Sequence, residues 1–520
     1  MHPAGTDSRT KAPWNISHVG PRIRSPKLAA VATRGALTLA VLSALLLMAA
    51  RPAEAQTETV LYNFTGGSDG YDPSSNLTFD GDGNLYGTTI HGGPRGFGTV
   101  YELSPNGNGG WNETTLYGFC SMYCADGSGP NRSGVIFDNS GNLYGTTYYG
   151  GANGNGVVFE LSPVGGSWTE TVLYNFCSQG YCTDGGEPQG DLIMDPAGNL
   201  YGTNSVGVFE LSPSDGGWTE QIIYHCCGLG SLSGLTMDAA GNIFGTEPSG
   251  VFELSPNGNG GWIPTVIHTF TGHPKDGSGA LGAPVFDKAG NLYGTTTGGG
   301  TANRGTVYKL SPGEKGWTEA ILYNFRGTRK NDGSNPEAGI AFDGAGNIYG
   351  TTLNGGEFGE GTVFELVAPV GTGKYKEKVL LNFANGDGAW PWDNLVLDSA
   401  GNLYGTAIGG GLYGNGVVFE VAMPSATMTT LTSSPNPSTY GQAVTFTAVV
   451  TPAPPDGETV TFMEAKTPLG TGTLSGGSAS FTTSTLRNGT TTVTAVYGGD
   501  AFFVGSTSNK VKQVVKRARH

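Results

Sequence analysis

Between residues 57 and 421 the apolar positions come in short runs, each closed off by Gly, Asn, Pro or Asp. One stretch shows the order of parts. Gly134-Val135-Ile136-Phe137-Asp138 is a short apolar run, and Asn139-Ser140-Gly141 turns the chain. Asn142-Leu143-Tyr144-Gly145-Thr146-Thr147 follows, then a glycine-rich loop from Gly150 to Gly156, then Val157-Val158-Phe159-Glu160-Leu161. Ser162-Pro163 opens a turn ending at Trp168, and Glu170-Thr171-Val172-Leu173-Tyr174-Asn175-Phe176 completes the unit. Runs rich in Val, Tyr, Phe and Thr, divided by turn formers, predict four antiparallel strands joined by hairpins. No helical period runs through the unit.

The unit recurs. Gly-Asn-Leu-Tyr-Gly begins at Gly83, Gly141, Gly198, Gly290 and Gly401, and with Ile for Leu at Gly241 and Gly346, the former also carrying Phe244 for Tyr. A period of this size signals a closed ring, solenoid or array. Four strands in each of seven units predict an all-β fold, a seven-bladed β-propeller, with an open array as the alternative. The ends favour closure. Glu58-Thr59-Val60-Leu61-Tyr62-Asn63-Phe64 is a fourth-type strand with no unit of its own. The last unit supplies three strands (Asn394–Asp398, Asn402–Thr406, Gly416–Val421) and stops. The N-terminal strand is therefore expected to complete the last blade, leaving no free edge. The third and fourth units are abbreviated at Asn204-Ser205-Val206 and Glu247-Pro248-Ser249, which lowers the rim there.

Composition adds the boundaries. Charged residues make up 13% of the 520, and Gly accounts for 89, which the turns absorb. Arg22, Arg24, Lys27 and Arg34 precede an apolar run from Ala36 to Ala50, and Ala53-Glu54-Ala55 gives a small-x-small cleavage pattern before Gln56. Residues 1–55 thus read as a signal peptide, with a retained anchor as the alternative and a start codon downstream of Met1 consistent with the long leader. After cleavage no span of the membrane is expected. The ring occupies 56–422, a second domain 427–515, and 516–520 form a basic tail. The leader carries seven Lys/Arg against two Asp/Glu, so its loss takes the net charge from −15 to −20. That charge disfavours nucleic acid and anionic membranes as partners.

The repeat, Asp-x-x-Gly-Asn-Leu-Tyr-Gly-Thr-Thr, then Gly-Gly, then Gly-Thr-Val-Phe-Glu-Leu, resembles the GloVer tandem-repeat (choice-of-anchor) family of bacterial exported proteins. The resemblance covers about residues 57–421 and implies no catalytic residues. The tail shows no sorting motif of the kind such anchors use. Thr430–Pro437, Gly441–Ala448 and Ala495–Asp500 make the second domain resemble a group 3 bacterial Ig-like domain. Its Thr/apolar alternation (Val444–Val450, Val460–Phe462, Thr491–Val496) suits a two-sheet sandwich without cysteine. The resemblance implies a spacer or adhesive module.

Candidate chemistry lies in the loops. Asp80, Asp138, Asp195, Asp238, Asp287, Asp343 and Asp398 each stand three residues before Gly-Asn and read as hairpin-corner turn residues. Asp69, Asp126, Asp184, Asp276, Asp332 and Asp387 are each followed by Gly in the loops joining units. Turn formation is the favoured reading for these also. The alternative is a ring of carboxylates at one mouth, binding calcium or a hydroxyl-rich ligand. Trp111, Trp168, Trp218, Trp262 and Trp317 open the fourth strands, where packing between blades is favoured over sugar stacking. Equivalent loops hold Cys120 and Cys124, then Cys177 and Cys182, which favours two local disulfides; Cys226 and Cys227 follow in the next loop, and other pairings stay open. His225, His268 and His273 match no zinc spacing, so no metal site is expected. No nucleophile elbow, phosphate loop or zincin helix occurs. The expected function is a secreted or cell-surface, monomeric, non-catalytic binding or adhesion protein, taking a glycan or surface protein and needing no cofactor. A carbohydrate-active hydrolase or lyase using the acidic loops, and a structural envelope component, are the alternatives.

Overall fold

The computed structural model describes residues 57–226, 234–371, 373–500 and 502–517. Residues 1–56, which include the expected signal peptide, lie outside them, as do Cys227 and the last three residues of the expected basic tail. The chain is all-β, with only two short 3-10 turns and no α-helix among the described residues. No helix there is long and apolar enough to cross a membrane.

Seven four-stranded sheets follow one another along the described chain. The second consists of Ile136–Phe137, Leu143–Thr147, Val157–Val164 and Ser167–Asn175, in sequence order. Strand existence matches the sequence pattern, but the third and fourth strands run further than expected. Pro163 pairs with Trp168 and Val164 with Ser167, so only Gly165-Gly166 is left to turn. Pro163 is tolerated because the second strand ends its pairing at Leu161. Beyond that point the third strand has a neighbour on one side only, and a missing N–H costs nothing on the open side. In the abbreviated third and fourth sheets the second and third strands join directly, across Ser205-Val206 and Pro248-Ser249.

The seventh sheet contains Val396–Leu397, Leu403–Ala407 and Val417–Ala422, and its fourth strand is Thr57–Asn63. Glu58 faces Val421, Val60 faces Phe419 and Asn63 faces Val417. Packing links each sheet to the next. Tyr86 of the first sheet packs on Leu143 of the second; Tyr144 on Leu200; Tyr201 on Ile243; Phe244 on Leu292; Tyr293 on Ile348; Tyr349 on Leu403. Tyr404 of the seventh sheet then packs with Leu77 and Leu85 of the first. The aromatic of each Gly-Asn-Leu-Tyr-Gly is thus the residue that reaches forward into the next sheet. The fourth-strand tryptophans join these seams, as with Trp262 edge-on to Tyr201 at 5.8 Å and Trp317 to Phe244 at 6.1 Å.

The repeated phrase is explained residue by residue. Asp138 Oδ1 accepts the backbone N–H groups of Ser140 (2.8 Å) and Asn142 (2.9 Å), and Oδ2 accepts the Asn142 amide (2.9 Å). Gly141 takes φ +85° in that turn, which a side chain would resist. Equivalent bonds recur at Asp80, Asp195, Asp238, Asp287, Asp343 and Asp398. The second glycine, Gly145, lies under the ring of Phe159 on the third strand.

Residues 428–516 form two further sheets. One pairs Met428–Ser434, Val444–Thr451 and Ser478–Thr483; the other is built on Gly489–Gly499, flanked by Thr459–Glu464 and Val511–Lys516. Val444, Phe446 and Ala448 of the first share a core with Val460, Phe462, Val493, Ala495 and Tyr497 of the second.

Candidate functional site

The loops between sheets and the loops between second and third strands meet at one rim. In the first, second and seventh units the two loop types form a bridge, at Tyr71–His91, Ser128–Tyr149 and Ala389–Gly409. In the fifth and sixth they form short two-stranded pairs, Gly277–Ser278 with Gly298–Gly299 and Gly333–Ser334 with Asn354–Gly355. Each joining loop also bonds back to the unit before it. Gly129 N–H donates to Phe97 O (2.8 Å), Glu187 to Asn155 (2.8 Å), Gly279 to Pro248 (2.9 Å), Asn335 to Arg304 (2.8 Å), Trp390 to Glu360 (2.8 Å) and Asp72 to Asn415 (3.1 Å). The loop between the third and fourth sheets includes residues outside those described.

Within this rim the six loop aspartates do not stand as an open ring of carboxylates. Asp69, Asp126, Asp184, Asp276 and Asp332 are buried. A buried carboxylate requires donors, and the start of each joining loop provides them. Asp69 takes the Thr65 N–H (2.7 Å), the Thr65 hydroxyl (2.6 Å) and the Tyr62 hydroxyl (3.0 Å). Asp126 takes Ser121 N–H (2.8 Å) and Tyr117 (2.6 Å); Asp184 takes Ser178 N–H (2.8 Å) and Tyr174 (2.8 Å); Asp332 takes Arg326 N–H (3.0 Å) and Tyr323 (2.9 Å). Asp276 takes Thr271 N–H (2.6 Å), and half-buried Asp387 takes Ala384 N–H (2.8 Å). Burial alone would raise the pKa of Asp69 and Asp184; the hydrogen bonds from Thr65 and Tyr62, and from Ser178 and Tyr174, outweigh it and hold both below the usual carboxylate range.

Each aspartate faces a glutamate on a fourth strand. Burial, then the charge of Asp69, lifts Glu113 to about 7, although a bond from Thr115 opposes the rise. Burial and the partner aspartate lift Glu170 to about 7 beside Asp126, Glu319 to about 8 beside Asp276, and Glu58 to about 8 beside Asp387. Such split pairs serve acid–base catalysis elsewhere. Here the pairing repeats around the ring, which is the behaviour of a fold element.

The rim exposes a run of aromatic side chains, with Met122 and Leu412 among them. Phe358 of the sixth unit, Trp390 of the joining loop after it, Tyr413 of the seventh, Phe97 of the first and Tyr149 of the second are all exposed. Tyr123 and Tyr181 are fully exposed, both at positive φ (56° and 61°). Cys120 and Cys124 lie at disulfide range, as do Cys177 and Cys182, so each tyrosine tips a stapled loop. Cys226 is half-buried, and the Cys226–Cys227 pairing lies outside the described residues. The arc follows the sixth, seventh, first and second units to the loop entering the third, and leaves the abbreviated units bare. Beside it, between the fifth and sixth units, Arg304, Arg326 and Arg329 line a groove of about 780 Å³.

A polar cluster that the sequence reading missed sits where residues before or within the first strands converge. Asn76, Arg132, Asp191, Glu337, Trp392 and Asp393 border a cavity of about 50 Å³, too small for anything beyond water. Arg132 donates to Glu337, as does the Trp392 indole, and the Arg132 guanidinium lies 3.9 Å above the Trp392 ring. Asn76 and the Gly134 N–H bind Asp191, whose burial still raises its pKa. Burial pushes Asp393 up to about 7; Arg132 opposes this, while Asp191 and Glu337 add to it. These side chains hold one another. No motif marks them in sequence, because the six residues come from five different units, only Trp392 and Asp393 being neighbours.

The profile of the Gloeobacter/Verrucomicrobia repeat matches residues 49–251 and 229–475. The chain belongs to the Gloeobacter/Verrucomicrobia repeat family. Among curated proteins none matches it. Among solved structures, this member of the repeat family is similar to a streptogramin B lyase (14% identity, 70% of this chain, 96% of that chain, TM-score 0.43). It is also similar to YCF48 from Cyanidioschyzon merolae (13% identity, 70% of this chain, 98% of that chain, TM-score 0.42). A third similarity is to the extracellular domain of a hybrid two-component system from B. thetaiotaomicron (13% identity, 89% of this chain, 59% of that chain, TM-score 0.46). At these scores the likenesses add nothing to the strand pairing and seam packing described for the repeat family member itself.

Proposed function

We propose that this protein is an exported, non-catalytic binding protein of the cell surface, in which a seven-bladed propeller is the recognition head and residues 427–515 are an Ig-like spacer. The observation that carries the binding role is the aromatic arc. Exposed aromatic rings gathered along one rim cost apolar hydration, and a soluble head retains them where they meet a ligand. Flat rings stack on sugar faces. In the neighbouring groove Arg326 is held by Asp332 and Tyr323, and Arg304 and Arg329 are offered to carboxylates in a planar fork. At that groove a glycan bearing isolated uronic acids therefore fits better than a neutral one, the local arginines opposing the overall negative charge that disfavours dense polyanions. The two stapled loops support an oxidising, exported setting. The self-paired polar cluster and its small cavity support a non-catalytic role.

The test is an array of neutral and uronate-containing polysaccharides probed with the mature chain and with Tyr123→Ala, Tyr181→Ala and the double variant. Binding to acidic glycans is expected, with each tyrosine worth roughly tenfold in affinity, about 1.4 kcal/mol, and no change in Tm. Absence of glycan binding at micromolar protein, or binding indifferent to both tyrosines, rejects the reading.

A further inference from the structure

We propose that His268, Asp276 and Glu319 form a binding site for a divalent transition ion, zinc foremost, at the seam between the fourth and fifth sheets. His268 Nε2 lies 3.5 Å from Glu319 Oε1 and 3.8 Å from Asp276 Oδ2. The three ligand atoms all fall within 4.8 Å of one another. Bonds of about 2.0–2.2 Å to a tetrahedral ion put ligand atoms roughly 3.3–3.6 Å apart. The two distances from Nε2 are too long for good hydrogen bonds and close to the edges of such a tetrahedron. One imidazole with two carboxylates suits zinc, and the nitrogen ligand disfavours calcium and magnesium.

The comparison among sheets singles out this seam. Tyr62, Tyr117, Tyr174 and Tyr323 occupy the equivalent place, and each hydroxyl donates to its aspartate; the third sheet has Tyr224 there and the sixth Leu381. At the fourth sheet the residue is His268, and among the described residues its buried Nε2 has no hydrogen-bond partner. Glu319 Oε1 is likewise buried and without a partner. Unpartnered glutamate oxygens recur in sister seams, but the unpartnered imidazole nitrogen does not. Asp276 Oδ2 already accepts the Thr271 N–H and hydroxyl; a cation among these atoms satisfies the other two, His268 Nε2 and Glu319 Oε1, and offsets two neighbouring carboxylates. Phe270, edge-on to His268 at 4.8 Å, packs against one side of the ring; Asp276 is buried, and His268 and Glu319 are half-buried.

The experiment uses the full mature chain freed of any histidine tag, stripped with chelator and then dialysed against zinc. Metal content is read by mass spectrometry, and affinity by competition with a chromogenic chelator. One zinc more per chain is expected for the wild type than for His268→Tyr, the residue that sister seams already accommodate. Glu319→Gln is expected to weaken zinc binding by more than ~100-fold, beyond the ~10–100-fold that loss of an outer-shell partner costs. Zinc should raise the Tm of the wild type and of neither variant. Equal zinc content in wild type and His268→Tyr, no zinc in the wild type, or undiminished affinity in Glu319→Gln overturns the proposal. Glu319→Gln keeps the test decisive if His268→Tyr fails to fold.

Discussion

Val60 pairs with Phe419, so a strand from the start of the described chain completes the sheet at the end of the repeats. The partner strand, Val417–Ala422, would otherwise be a free hydrophobic edge. Phe64, just after the closing strand, is buried edge-on to Tyr101 of the first sheet at 5.1 Å. Phe64→Ala is expected to cost about 3–5 kcal/mol in urea unfolding. A chain starting at Thr65 should associate or precipitate, and a peptide spanning residues 57–64, added in trans, should restore monomeric behaviour in size-exclusion chromatography. A truncated chain that stays monomeric with the wild-type Tm would show that closure contributes nothing.

Gly145 and Phe159 fix the close approach of second and third strands. A Cβ at Gly145 would stand 2.6 Å from Phe159 Cζ, nearer than packed atoms allow. The glycine is there for space, since its φ is not left-handed. Gly145→Ala should therefore cost about 1–3 kcal/mol by overpacking. Gly344→Ala, where a Cβ meets nothing within 4 Å, should leave stability within about 0.5 kcal/mol. Paired thermal melts decide the matter, and equal effects at the two positions would refute the steric explanation.

The strands were legible because the repeat prints the same turn chemistry again and again: Asp138, Asn142 and Gly141 specify one corner, and each copy repeats it. Closure was legible from the surplus strand Thr57–Asn63. The role of the joining-loop aspartates was only half visible. Asp-Gly announces a turn, but burial of Asp126 against Tyr117 depends on a tyrosine nine residues upstream in the preceding strand. The cluster of Arg132, Asp191, Glu337 and Asp393 could not be seen, since four separate units contribute to it and no local spacing records their meeting. His268 was visible in sequence and dismissed for its spacing; aligning Ile267-His268-Thr269-Phe270 with Leu173-Tyr174-Asn175-Phe176 shows that it replaces the tyrosine of sister units, and only the fold shows that it meets Asp276 and Glu319.

Asp138 holds its corner with both oxygens, and Oδ2 also accepts the Tyr144 hydroxyl at 3.3 Å. Asp138→Ala leaves these donors without their acceptor and is expected to cost about 1–3 kcal/mol. Asp138→Asn keeps one acceptor oxygen but turns an amide toward the Asn142 amide, so an intermediate loss is expected. At Asp238 the following aromatic is Phe244, with no hydroxyl to satisfy, and the alanine substitution should cost less than at Asp138. Urea midpoints of the three variants check the order, and an Asp138→Ala protein as stable as the wild type would contradict it.

The paired acids make stability depend on pH in a stated direction. Glu58, Glu113, Glu170, Glu220, Glu319 and Glu377 all have folded-state pKa values raised from 4.5, to between about 7 and about 8, burial being the first cause in each. Between pH 4.5 and 8 the folded chain therefore holds more protons than the unfolded chain, and folding weakens as pH rises through that window. The stabilisation from these groups is full below the unfolded value and lost above the folded ones. In chelator, Tm is expected to be higher at pH 5 than at pH 8.5. The growing negative charge of the whole chain pushes the same way, so a variant must separate the two. Glu113→Gln removes one titrating site beside Asp69 while changing the net charge at alkaline pH by only one, and should flatten the fall in Tm across pH 5 to 8.5 more than a substitution at an exposed acid such as Glu314→Gln. Calorimetric scans at several pH values measure both slopes, and identical slopes for the two variants would assign the pH dependence to overall charge and remove the paired acids from it.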